Sequence, residues 1–181
     1  LGGTTESVDA GAGDDTVIAA GRLTFGTTIA GGDGTDTLSA NAAASAANGS
    51  VVSGFETLSL ATAGTTDLDS FTNNTFATVT SGALGAQTVQ SVRSETIQLT
   101  DVVTGDATIT MEDATGSADS ATIEVSGAAA VTQTNQVVIA DVETLNLSSV
   151  DSDADTTDAG IQHTVLLTAD SATSISVSGS A

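Results

Sequence analysis

Residues 31–39, which decide the fold, read Gly31-Gly32-Asp33-Gly34-Thr35-Asp36-Thr37-Leu38-Ser39. The glycines permit a turn that needs a positive φ, the aspartate at the sixth position places a carboxylate between neighbouring turns, and the leucine at the eighth position points into the coil. Residues 10–18 repeat this pattern with only the first glycine replaced, and they read Ala10-Gly11-Ala12-Gly13-Asp14-Asp15-Thr16-Val17-Ile18. Residues 1–9 keep the frame, with Thr4 for a glycine and Glu6 for the aspartate. Such a nine-residue period predicts a solenoid of stacked coils.

The spacing of the two complete repeats predicts a calcium site between them. Two nine-residue units make one coil of about 18 residues, and Asp15 and Asp36 are slightly more than one coil apart. We therefore expect their turns to stack on one edge, where carboxylates and backbone carbonyls can bind Ca²⁺, an ion that takes oxygen ligands. The predicted calcium-binding residues of these repeats are Glu6, Gly11, Gly13, Asp14, Asp15, Gly31, Gly32, Asp33, Gly34 and Asp36. On the opposite edge the position after Glu6 is occupied by Arg22, and we hypothesise that Arg22 is the counter-ion of Glu6.

A second repeat, E-T-[LI]-x-L, begins at Glu56, Glu95 and Glu143, and each copy follows a short apolar stretch. Alternating apolar residues predict strands with one buried face. The glutamate that opens each strand has two interpretations, as a calcium ligand or as a charge that caps an exposed sheet edge against wrong pairing, and we favour the structural one. Further strands are predicted over residues 75–80, 108–112, 122–126, 164–168 and 174–178, and a helix of one or two turns over residues 41–49.

Composition supports an all-β fold. The 17 Val, 8 Ile and 32 Thr are β-branched and lie in short alternating runs, which is typical of strands.

We predict calcium-binding coils of a parallel β-solenoid over residues 1–50 and a β-rich domain over residues 51–181, together forming one continuous unit. A β-sandwich after residue 50 is the alternative, because the E-T-[LI]-x-L copies are unevenly spaced. Since the chain starts at Leu1 without a signal peptide, we interpret it as a piece of a longer protein.

Taken together, these motifs resemble those of a known family. The motifs over residues 10–18, 31–39, 54–58, 141–145 and 166–179, in this order, resemble the lattice-forming C-terminal region of Caulobacter-type RTX surface-layer (S-layer) proteins. The resemblance covers the chain from about residue 9 onward. It implies a β-rich, calcium-binding protein that leaves the cell by type I secretion and self-assembles into a two-dimensional lattice on the cell surface. The family's secretion signal, and the domain that anchors it to cell-surface polysaccharide, are expected outside this piece.

The charge balance excludes several functions. The chain carries 23 acidic residues against 2 Lys or Arg and 1 His, so it lacks the basic face that nucleic-acid binding requires. No apolar run approaches the length of a membrane span. His163 has no cysteine partner and is predicted to lie on a strand surface, and only four Phe are available as aromatic platforms, so we predict no enzymatic activity.

Repulsion between the acids predicts a chain that stays unfolded until it meets extracellular calcium; the alternative is that the charge serves only solubility.

Other acids are weaker candidates for metal binding. Asp151, Asp153, Asp155 and Asp158 share the D-x-D-x-D spacing that begins an EF-hand loop, without its glycine and terminal glutamate. This cluster is either an irregular calcium loop or a solvated turn. Several further acids are expected to be solvated turn residues, namely Asp67, Asp69, Asp101, Asp106 and Asp113.

Three functions are compatible with these features. The first is a calcium-dependent, self-assembling structural component of a bacterial S-layer. The second is a spacer or ligand-binding module of a large secreted RTX adhesin. The third is an accessory β-domain of a secreted RTX enzyme whose catalytic part lies elsewhere.

Overall fold

The chain is described by a computed structural model that covers residues 7–20, 23, 27–41, 49–81, 85–100, 104–152 and 161–179. In these residues the fold is all-β, as predicted. Helical structure within them is limited to the single 3₁₀ turns Gly49–Val51 and Leu68–Ser70. The same residues contain no helix that is long and apolar enough to cross a membrane.

The strands are short and follow one another along the chain in pairs that form coils. The first eight are β1 Ser7–Ala12, β2 Thr16–Ala20, β3 Thr28–Asp33, β4 Thr37–Ala40, β5 Val52–Ser53, β6 Thr57–Leu60, β7 Gly64–Asp67 and β8 Thr78–Ser81. The others are β9 Gln87–Val92, β10 Thr96–Leu99, β11 Ala107–Met111, β12 Ser120–Gly127, β13 Thr132–Ile139, β14 Thr144–Asp151, β15 Thr164–Thr168 and β16 Ser174–Gly179.

Alternate strands pair in parallel, which makes the chain a parallel β-solenoid. All even-numbered strands form one eight-stranded sheet that runs in chain order from β2 to β16. The odd-numbered strands form a three-stranded sheet, β1-β3-β5, and a five-stranded sheet from β7 to β15. The β-sandwich considered for the chain after residue 50 is wrong, because sandwich strands pair antiparallel, whereas β6 through β16 continue the parallel pairing of the first coils.

The register aligns the first two copies of E-T-[LI]-x-L at their third position, whereas the third copy is displaced by two residues and aligns through Leu147. Successive even strands place one apolar side chain in the same register column, which comprises Val17, Leu38, Leu58, Val79, Ile97, Ile123, Leu147 and Val177. This column is buried from Leu38 to Ile123, half-buried at Val17 and Leu147, and exposed at Val177. The preceding threonine is half-buried on the other face of the strand, as the alternation in β4, β6, β8 and β10 shows. Parallel stacking of these strands therefore fills a narrow core with two alternating side chains per strand.

Removing one methyl group from this column should cost measurable stability. We expect Ile123→Val, at a position that is 0% exposed, to lower the free energy of unfolding by about 1 kcal/mol, because the cavity left behind cannot be refilled. The matched control is Ile18→Val, since Ile18 lies in β2 and is 70% exposed. Urea unfolding of both variants measures the difference. Equal losses of stability would contradict the assignment of Ile123 to a close-packed column.

Candidate metal-binding edge

Most acidic side chains of the described chain lie along one edge of the solenoid. This acidic edge, as we name it, consists of the turns that lead from each odd strand to the following even strand, with the strand-terminal residues that flank them. Its acids are Asp14, Asp15, Asp33, Asp36, Glu56, Asp67, Asp69, Glu95, Glu112, Asp113, Asp119, Asp141, Glu143 and Asp170. Because the coils stack in parallel, these charges form a line along the solenoid.

The two complete nine-residue repeats stack turn on turn, as predicted. The backbone N–H of Gly13 donates to the carbonyl of Asp33 at 2.8 Å, and the N–H of Thr37 donates to the carbonyl of Asp15 at 2.8 Å. The Asp14 carboxylate accepts the N–H of Thr35 at 2.9 Å. The stacking thus brings together the turns that carry the predicted calcium-binding glycines and aspartates.

Positive φ angles show why these turns need glycine. The φ angles of Gly11, Gly13, Gly32 and Gly34 are 100°, 120°, 114° and 145°. At Gly32 a Cβ atom would also overlap the carbonyl oxygen of Gly11 in the coil below. The close approach of the two backbones therefore requires glycine for a second, steric reason.

Asp36 is the centre of the candidate site. Its side chain is 0% exposed. Its Oδ1 accepts the N–H of Asp15 at 2.8 Å, and its own N–H donates to Glu56 Oε2 at 2.7 Å. Its Oδ2 is buried and has no hydrogen-bond partner. A buried carboxylate oxygen without a donor is costly, and a proton, a water or a cation at this atom would each lower that cost.

The backbone carbonyl of Gly54 lies near Asp36 Oδ2. A Cβ placed on Gly31 would lie 2.8 Å from this oxygen and would overlap the carbonyl oxygen of Gly54, so both oxygens lie close to Gly31. No group of three or more His, Cys, Asp or Glu side chains in the described ranges is arranged to hold a metal ion. An ion beside Asp36 would therefore depend on backbone carbonyls such as that of Gly54, and calcium accepts such ligands.

The glutamates of the E-T-[LI]-x-L repeat have a structural role that differs from the predicted one. Glu56 Oε2 accepts the N–H of Asp36, and Glu143 Oε2 accepts the N–H of Asp119 at 2.9 Å. Each carboxylate thus reaches back one coil and satisfies a backbone donor there. The prediction that these glutamates cap an exposed edge is wrong, because β6, β10 and β14 are interior strands of the eight-stranded sheet.

Glu95 instead accepts hydrogen bonds from backbone N–H groups of its own turn. It is 4% exposed and accepts the N–H groups of Arg93 at 2.6 Å and Ser94 at 3.1 Å. These bonds keep a nearly buried carboxylate supplied with donors inside a single turn.

A turn with a residue of positive φ precedes each of the three glutamates, and this turn was not predicted from the sequence. Gly54, Ser91 and Asp141 have φ angles of 69°, 59° and 56°, and each is followed by an apolar residue that is 1% exposed. Those apolar residues are Phe55, Val92 and Val142. A positive φ is common at glycine and uncommon at serine and aspartate, so the first of these turns is the easiest to recognise from sequence.

Among the described residues, Arg93 is the basic side chain of the acidic edge. Its guanidinium forms salt bridges with Asp69 and with Glu112, and the Nε–Oε2 distance to Glu112 is 2.5 Å. Its Nη2 also donates to Glu112 Oε1 at 2.9 Å. The hydrogen bond to Glu112, ahead of the contact with Asp69, raises the pKa of Arg93 above its usual value despite partial burial.

The turn after β11 holds a second orphan oxygen. Asp119 Oδ2 is buried without a hydrogen-bond partner, while its backbone N–H is taken by Glu143. Asp113, in the same turn, accepts the hydroxyl of Thr115 at 2.7 Å and its N–H at 3.0 Å. These two bonds, the hydroxyl first, lower the pKa of Asp113 below its usual value. Asp113, which we expected to be a solvated turn residue, therefore also stabilises its turn through two hydrogen bonds.

His163 does not lie on a strand surface, contrary to the prediction. It precedes β15 and is half-buried. Its Nδ1 accepts the N–H of Val131 at 3.0 Å, and its Nε2 lies 3.2 Å from the carbonyl oxygen of Val150. Both ring nitrogens thus contact backbone groups, those of Val131 just before β13 and Val150 in β14, which is a structural role.

Several predicted positions fall elsewhere. Asp151 ends β14 and so lies on the edge opposite to Asp36, and Asp106 lies on that opposite edge as well, where it accepts the N–H of Gln136 at 3.1 Å. The remaining predictions lie outside the described residues, and they concern Glu6, Arg22, Asp101, Asp153, Asp155, Asp158 and most of the helix over residues 41–49.

No protein-family model matches the chain, and no curated protein matches its sequence.

Proposed function

We propose that this chain is a structural component of a bacterial surface layer, secreted to the cell surface, whose coils are held together by Ca²⁺ and whose copies assemble into a lattice. The observation that carries the proposal is the buried, unpartnered Oδ2 of Asp36 within a line of stacked acidic turns. The function has no catalytic step. Calcium, when bound, supplies positive charge between coils, while Asp36 and the carbonyl of Gly54 are the groups on this chain that would hold it.

Contacts between copies have candidate surfaces. The large hydrophobic side chains that are exposed in the described residues lie in strands at sheet edges: Ile18 in β2, Leu166 in β15, and Ile175 and Val177 in β16. An edge strand with exposed apolar side chains favours pairing with a further strand. Contacts between unlike surfaces of successive copies can propagate without closing, as a lattice requires.

The test is assembly as a function of calcium. We expect the chain to gain strand signal in circular dichroism when calcium is added, and to form ordered sheets in negative-stain electron microscopy. Excess EDTA should reverse both. Magnesium at the same concentration is the control, because it demands octahedral geometry and keeps its water ligands. Sheets that persist in excess EDTA, or an identical response to magnesium, would count against calcium as the assembling ion.

A spacer module of a secreted adhesin is the second candidate function. The observation in its favour is the single stacking axis of the solenoid, since one eight-stranded sheet spans the described coils from β2 to β16. Such a quasi-one-dimensional fold also suits a rod. Isolated calcium-stabilised rods, without sheets, in the same micrographs would favour this function over the lattice. In either case, attachment to cell-surface polysaccharide would depend on a domain outside this chain.

A further inference from the structure

The acids in the middle of the acidic edge all have donors. Asp67 Oδ1 accepts the hydroxyl of Ser91 at 2.6 Å and the N–H of Asp69 at 3.1 Å. Glu95 accepts two backbone N–H groups of its own turn. Asp69 and Glu112 share the guanidinium of Arg93. From β7 to β11, therefore, the edge is supplied with hydrogen-bond donors and a positive charge by the chain itself.

Arg93 connects three successive turns of this edge. Asp69 belongs to the turn after β7, Arg93 to the turn after β9, and Glu112 to the turn after β11. The contact with Glu112 uses both Nε and Nη2, which is the two-pronged geometry that arginine forms with carboxylates. The guanidinium stays charged at every accessible pH. It thus stands between neighbouring coils, as calcium is proposed to do at the first coils.

One orphan carboxylate oxygen lies before this region, and the other lies in the turn that ends it. Among the described side chains, the buried carboxylate oxygens without a partner are Asp36 Oδ2, in the turn before β4, and Asp119 Oδ2, in the turn before β12. Both belong to the acidic edge, yet neither accepts a hydrogen bond at that oxygen. The demand for an external cation is therefore uneven along the solenoid.

We propose that Arg93 is a built-in cation of the acidic edge, which holds the coils from β7 to β11 together without calcium, whereas the coils from β1 to β6 require calcium. The second half of this statement rests on the proposed calcium binding at Asp36. In a solenoid each coil contacts only its neighbours, so one segment can keep its structure while another opens. The middle coils would then persist in calcium-free solution and template the first coils when calcium arrives.

Hydrogen exchange measured by mass spectrometry tests both halves on the same chain. In EDTA, we expect peptides from residues 28–60 to exchange rapidly and peptides from residues 64–111 to stay protected. In saturating calcium, both segments should be protected. If both segments lose protection equally in EDTA, the inference about Arg93 is overturned. If residues 28–60 are insensitive to calcium, the proposed calcium function fails, while the Arg93 variants still test the middle segment.

Variants of Arg93 measure how much its positive charge contributes to protection of the middle coils. We expect Arg93→Gln to accelerate exchange of residues 64–111 in EDTA by about fivefold, the size expected for a half-exposed charge network. Calcium should restore the protection, because a divalent ion can bridge Asp69 and Glu112 once the guanidinium is gone. The matched control, Arg93→Lys, keeps a positive charge and should lose less protection in EDTA than Arg93→Gln. Arg93→Gln that exchanges like the wild type, or a loss that calcium leaves uncorrected, would refute the built-in cation.

Discussion

Gly32→Ala should destabilise the chain by at least about 3 kcal/mol, even in saturating calcium. Its φ of 114° lies in the left-handed region, which costs an alanine about 1–2 kcal/mol. In addition, the new methyl group would overlap the carbonyl oxygen of Gly11 in the neighbouring coil. Gly11 and Gly32 are register partners in the parallel pairing of β1 and β3, so relief of the overlap must separate paired strands. Thermal or urea unfolding in calcium measures this loss.

Gly11→Ala is the matched control for that experiment. Gly11 has a similar φ of 100°, but a Cβ at this position meets nothing within 4 Å. We expect this variant to lose only the conformational cost of about 1–2 kcal/mol. The difference between the two variants therefore isolates the steric contribution of coil stacking. Equal destabilisation would show that the backbones of the two turns are not in close contact.

Much of the fold was predictable because it depends on features that repeat locally. Leu38, at the eighth position of its repeat, is 0% exposed, as the pattern required. The three E-T-[LI]-x-L copies become β6, β10 and β14, and the predicted strand over residues 164–168 coincides with β15 Thr164–Thr168. Parallel stacking was predictable only for the first coils, where the glycine repeats fix the coil length. Strand β7 Gly64–Asp67, which has little apolar alternation, was not predicted.

The candidate site was predictable only in part, since most of its contacts join residues about one coil apart. Turn stacking at Asp36 follows from the regular repeats. The contacts of Arg93 with Asp69 and Glu112 join residues 24 and 19 apart, and these separations depend on insertions of irregular length in each coil. The strand-opening glutamates were placed at a sheet edge because sequence alone does not give the order of strands. The carboxylate–amide contacts of Glu56 and Glu143 could be found only once that order was known.

The Asp36→Asn variant should be at least as stable as the wild type in EDTA, but less stable than the wild type in calcium. Asparagine keeps an oxygen that accepts the N–H of Asp15, removes a buried negative charge, and can place its amide where the unpartnered Oδ2 now lies, near the Gly54 carbonyl. In EDTA we therefore expect the variant to be at least as stable as the wild type. At a calcium concentration of about 100 Kd the wild type should gain about 2.7 kcal/mol per site, and the variant should lose this gain at the Asp36 site.

Asp170→Asn separates loss of the ligand from loss of charge on the same edge, because Asp170 is an exposed turn residue. This control should keep the full calcium gain in thermal unfolding, and calorimetry should show calcium binding as tight as that of the wild type. If Asp36→Asn also keeps the full gain, Asp36 is not a calcium ligand, and the orphan oxygen must be satisfied in another way. If the wild type gains nothing from calcium, the ion does not stabilise the stacked turns, and the lattice proposal loses its physical basis.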